Sequence, residues 1–78
     1  MSRWSTKGID TSVEEDWTKN VLLENNGLIS RYILEGMLLY DLKCSNNKMY
    51  HTLMNLILKE ELKLVELDDG EYYSLNTF

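Results

Sequence analysis

The chain has 78 residues, 44% of them hydrophobic and 27% charged, with a formal net charge of -5. A chain of that length holds a single core, and its composition is that of a globular domain, so a two-domain architecture and a disordered tail are both excluded. The acidic balance also argues against a coat protein that grips nucleic acid without regard to sequence, because such binding depends on neutralising phosphates.

Cys44 is the only cysteine and His51 the only histidine, so neither an intramolecular disulfide nor the usual structural zinc site can form within the chain. Nothing of that kind widens the thin stability margin of a small domain, and helix packing or dimerisation must supply it. Residues 1 to 10 lack the apolar run of a signal peptide, and no stretch approaches the length of a membrane span. The expectation is a cytoplasmic protein with no membrane contact.

Proline is absent and no segment repeats. Residues 1–11, polar and containing Gly8, read as an N-terminal arm anchored by Trp4 and Ile9 to a domain spanning 12–78. The first helix should begin near Ser12, where Ser12 and Glu15 have capping-box spacing and Glu14, Glu15 and Asp16 suit the positive end of a helix dipole. Val13, Trp17 and Val21 recur at i, i+4 and i+8 and, with Leu22, predict one buried face. Asn25, Asn26 and Gly27 end that helix, and Leu28-Ile29 is an apolar link long enough for a small strand. Ser30 can cap a second helix over Arg31 to Leu42, with Ile33, Leu34, Met37, Leu38 and Leu39 as its apolar face.

Lys43-Cys44-Ser45-Asn46 breaks the pattern, and Ser45 is placed to cap a third helix that runs to about Glu61. Its apolar stripe is Met49, Leu53, Leu56 and Ile57, while Asn47, Lys48, His51, Thr52, Asn55 and Lys59 point elsewhere. From Leu62 the period becomes alternating, through Leu62, Leu64, Val65 and Leu67 to Asp68-Asp69-Gly70, and on to Tyr72, Tyr73 and Leu75. Asp69-Gly70 between two β-prone runs predicts a hairpin whose central turn residues have positive φ. The fold class is α+β, a three-helix core with a C-terminal β-hairpin wing.

Residues 38 to 75 resemble the winged helix-turn-helix superfamily. Leu42-Lys43-Cys44-Ser45 stands at its turn, and Met49 to Leu56 is similar to its recognition helix, with Thr52 followed by Leu53 and Leu56. Leu62 to Leu75, with the Asp-Gly turn and Tyr72-Tyr73-Ser74-Leu75, is similar to its wing. Lys43 replaces a glycine common in the turn, and Glu60-Glu61 stands where a glycine often closes the recognition helix. The wing carries Glu66, Asp68, Asp69 and Glu71 where DNA-binding wings commonly bear Arg or Lys.

The resemblance implies a small transcriptional regulator that reads duplex DNA with its third helix. Asn46, Asn47, Lys48, Tyr50, His51 and Asn55 are then the candidate contacts with base edges and phosphates. The same residues would serve equally as a helix cap and a solvated face. Residues 42 to 59 hold three lysines and no acid, which favours DNA, whereas residues 60 to 71 hold six acids and one lysine. The acidic wing favours the alternative, a protein-interaction module or inhibitor that docks a basic surface. A homodimer paired through Trp4, Trp17 and Phe78 is a further expectation, against which those aromatics would simply complete the core.

An enzyme is not expected. Cys44 and His51 lack a third residue to orient them, and Cys44 reads as a small apolar residue in the turn between helices. Asp68 and Asp69 read as turn formers. No phosphate-binding glycine loop or dinucleotide fingerprint is present, and no cofactor is predicted.

Overall fold

A computed structural model describes residues 10–76 of the chain. Trp4, Ile9, most of the expected arm and Phe78 lie outside the described residues. The elements run α1 (Ser12–Glu24), β1 (Leu28–Ser30), α2 (Arg31–Tyr40), α3 (Asn46–Leu58), β2 (Leu62–Leu67) and β3 (Gly70–Leu75). The three strands form one antiparallel sheet in the order β1-β3-β2. This is the expected α+β class, in a winged-helix-like layout.

The core gathers Leu22 from α1, Leu34 and Leu38 from α2, and Met49, Leu53 and Leu56 from α3, closed on the sheet side by Ile29, Leu62 and Tyr73. Ile29, Tyr73 and Leu64 lie in register across the sheet and so share one face. Tyr73 is buried in the central strand yet stays satisfied, because its hydroxyl donates to Glu35 of α2 at 2.9 Å. Burial first, and then the Glu35 carboxylate, push its phenol pKa well above the ordinary value.

Helix α1 begins at Ser12, as expected, but without the expected capping box. Its N-cap is Thr11 rather than Ser12. The Asp10 carboxylate accepts from the Ser12 amide at 3.1 Å and from the Ser12 hydroxyl at 2.7 Å, and Ser12 is the first residue inside the helix rather than its cap. Glu15 is drawn instead into a buried contact with Thr11, whose hydroxyl donates to it at 2.5 Å. The expected Val13 face is also displaced: Val13 is 72% exposed, and the buried positions are Glu15, Thr18, Val21 and Leu22. Each i+4 step drifts about 40° around a helix, and Thr18 turns inward because its hydroxyl is satisfied by the Glu14 carbonyl at 2.7 Å. A polarity pattern cannot register that local satisfaction. In α2, Leu34 and Leu38 are buried as expected, but Ile33 faces out.

Both α2 and α3 stop three residues or fewer short of their expected ends, at Tyr40 and Leu58. Each helix is followed by a non-glycine residue in the left-handed region: Asn26 at φ 62°, Lys43 at 56° and Glu60 at 63°. After α3 the Glu61 amide donates to the Leu56 carbonyl and the Glu60 amide to that of Ile57, both at 2.9 Å, which is the paired return of a Schellman ending. The Gly27 and Asn26 amides close α1 onto Leu22 and Leu23 in the same way. The Cys44 amide closes α2 onto Leu38 at 3.1 Å.

The hairpin turn is shifted by one residue from expectation. Leu67 pairs with Gly70, so Asp68 and Asp69 are the two turn residues. Neither has positive φ; Gly70, at 139°, supplies it.

Candidate interaction surface on the third helix

Helix α3 starts at Ser45, whose hydroxyl accepts from the Lys48 amide at 3.1 Å, as its cap position predicts. Met49, Thr52, Leu53 and Leu56 then form its buried side. Thr52 was expected on the polar side; it is fully buried because its hydroxyl bonds back to the Lys48 carbonyl at 2.8 Å.

The remaining side chains divide between two directions. Lys48, Asn55 and Lys59, spaced i, i+7 and i+11, lie on the flank that meets α1. The Lys48 ammonium stands 3.2 Å from Glu14, and that of Lys59 is 2.6 Å from Glu15. The Asn55 amide donates to the Thr11 hydroxyl at 3.0 Å and reaches Glu15 at 3.4 Å. Burial alone would raise the Glu15 pKa, but the Lys59 ammonium, with Thr11 and Asn55, holds the carboxyl below its usual value. Two of the three lysines in the acid-free run thus spend their charge on α1, within the molecule.

Asn46, Asn47, Tyr50 and His51 are exposed, so the six candidate contact residues do not form one surface. Four face solvent, while Lys48 and Asn55 are half-buried in the seam with α1. Sequence reasoning missed Glu14, Glu15 and Thr11 as partners of α3, although the single-flank spacing of Lys48, Asn55 and Lys59 was a usable signal. It also missed the character of the outward face. Tyr50, Met54 and Leu58, at i, i+4 and i+8, are 56%, 52% and 72% exposed. Tyr50, His51 and Met54 line a shallow concavity of about 180 Å³. Leu64 of β2 is a further exposed apolar residue, paired with Tyr73 and therefore on its face of the sheet.

Acids crowd the wing beyond Leu64. Glu66 lies directly across from Glu71, and Asp68 and Asp69 make the turn. The Arg31 guanidinium bonds both Glu35, at 3.1 Å, and Glu71, while Lys19 pairs with Glu61 at 3.1 Å. Among the described residues no ion pair reaches Glu60, Glu66, Asp68 or Asp69.

Cys44 is half-buried against the core, and burial, reinforced by Glu14, raises its thiol pKa, which disfavours the thiolate a nucleophile needs. Trp17, one of the three aromatics considered for dimerisation, packs partly buried against the core. Among the described residues no His, Cys, Asp or Glu cluster is arranged to hold a metal ion, and no helix is long and apolar enough to cross a membrane. No family model, curated protein or solved structure matches the chain.

Proposed function

We propose that this domain is a winged-helix protein-interaction module, and that its partner sits on the outward face of α3. One observation carries the proposal: the helix face available for contact bears an apolar stripe, Tyr50, Met54 and Leu58, beside Asn47 and His51, while Lys48 and Lys59 are held by Glu14 and Glu15. Phosphate binding draws its affinity from cations that can trade counterions for phosphates, and a lysine already paired with a carboxylate must first give up that partner. A contiguous exposed apolar patch is, by contrast, the usual mark of a protein interface. The acidic wing points the same way, because it repels a phosphate backbone and attracts a basic protein surface.

The test places a photo-crosslinking residue at position 54 of the full chain in its source cells, alongside fluorescence anisotropy of a labelled mixed-sequence duplex at low salt. The expected result is a protein adduct at position 54 and no saturable duplex binding. Saturable, salt-sensitive duplex binding, with nucleic acid in the adduct, would overturn the proposal. That outcome would favour a DNA-binding regulator, the reading supported by the exposure of Asn46, Asn47 and His51 toward the start of α3. In that case replacing Asn47 and His51 by alanine should abolish specific binding without unfolding the domain.

A further inference from the structure

We infer that the outward face of α3, together with the acids that follow it and those of the wing, receives a basic amphipathic helix from a partner protein. This rests on the docking function proposed above and adds the chemistry of the occupant. Tyr50, Met54 and Leu58 form a line about 12 Å long with steps of about 6 Å, the spacing at which apolar residues recur on a facing helix. A shallow concavity lined by Tyr50, His51 and Met54 lies on this line.

Charge selects among occupants with that apolar pattern. Glu60 follows Leu58 at one end of the stripe, and Glu66 follows Leu64 on the same face of β2, with Asp68 and Asp69 beyond it. No ion pair reaches these four acids among the described residues. The negative end of the α3 dipole lies beside Glu60 and strengthens the field there. A duplex and an anionic lipid surface would both be repelled. A second copy placed face to face would bring the same four acids together in a chain already at -5. Lysine or arginine flanking an apolar helix face meets no such cost and gains in rate and specificity.

The experiment titrates the full ¹⁵N-labelled chain with two synthetic amphipathic peptides of about 18 residues, some 27 Å as helices. One carries leucine and lysine; the other has every lysine replaced by glutamate. The expected result is saturable shifts at Tyr50, Met54, Leu58, Leu64 and the wing with the lysine peptide, and at least tenfold weaker binding of the glutamate peptide. Met54→Lys should weaken the lysine peptide about tenfold, whereas Val13→Lys, on exposed α1 surface, should leave it unchanged. Equal binding of both peptides, or binding of neither by the folded chain, overturns the basic-helix occupant. So does concentration-dependent self-association through the same residues. A protein crosslinked at position 54 through a segment that is not basic and helical also removes this inference while leaving the docking function standing; duplex binding at the same residues removes both.

Discussion

Relieving the left-handed residues that close α2 and α3 should stabilise the domain, and by unequal amounts. Lys43 and Glu60 sit at φ 56° and 63°, and neither side chain enters an ion pair among the described residues. An L-residue in that region costs about 1–2 kcal/mol; glycine removes this but returns roughly 0.5–1 kcal/mol of unfolded-chain freedom. At Glu60 the change also removes an acid from the negative end of the α3 dipole, which contributes about 0.3–1 kcal/mol. At Lys43 it removes a cation from the end of α2, where the same effect is favourable. Glu60→Gly should therefore gain about 1 kcal/mol and Lys43→Gly about half that or less. For a domain of this size 1 kcal/mol moves Tm by roughly 4–8 °C, readable by circular dichroism melting. Gly27→Ala is the converse test. Its φ is 81° and an added Cβ would meet only Leu75 at an ordinary 3.8 Å, so the cost, about 1 kcal/mol, is almost purely backbone. A fall in Tm for Glu60→Gly, or a larger gain for Lys43→Gly, would refute the account of these helix ends.

Leu53→Ala and Leu56→Ala truncate buried core side chains and should each cost about 2–5 kcal/mol by urea denaturation; a loss under 1 kcal/mol would place them outside the core. Glu15→Gln should be less stable than wild type only within a pH window. Because the folded pKa of Glu15 is lowered, its stabilisation is present above the unfolded value of about 4.3 and is lost as pH falls through the folded value. The Lys59 pKa is raised by its hydrogen bond to Glu15, so that partner's share holds below about 10.4 and fades as pH rises through the folded value. Melting curves from pH 3 to pH 7 should therefore show the two proteins converging at the acid end; a constant gap would refute the pairing. Replacing Glu14 and Glu15 together by glutamine should release Lys48 and Lys59 and create weak duplex binding, with a log-log salt slope of about -2. Anisotropy that is identical for wild type and variant would show that the pairs do not restrain these lysines.

The element order was legible because its signals are local. Ser45 caps α3 through its own hydroxyl, and Asn26 and Gly27 supply the left-handed conformations that end α1 and release β1. The change of period at Leu62 marks β2. Errors arose where a nearer or stronger partner competed. Glu15 is engaged by Thr11, Asn55 and Lys59 instead of closing a capping box with Ser12, and the returns at Glu60 and Lys43 ended helices that propensity alone would have extended. Thr18 and Thr52 look like surface residues by polarity but are buried, since each hydroxyl is satisfied four residues back in its own helix.

The candidate site was less legible, because its electrostatics depend on a tertiary contact. Along the chain, Lys48 and Lys59 belong to a run free of acids; across the α1–α3 seam each faces a glutamate more than thirty positions earlier in sequence. What remains outward on α3 is set by subtraction. Once Met49, Thr52, Leu53, Leu56 and Ile57 are committed to the core and Lys48, Asn55 and Lys59 to α1, the positions left are Asn46, Asn47, Tyr50, His51, Met54 and Leu58. Two apolar stripes on one helix, Met49-Leu53-Leu56 and Tyr50-Met54-Leu58, exceed what a core of this size needs. The second stripe stays in water at a cost that folding does not recover, and covering it would recover that cost on binding. The same wheel that exposes the stripe sets Lys48 and Lys59 on the α1 flank, each paired with a glutamate, so the outward face carries its apolar side chains beside Asn47 and His51 and no lysine.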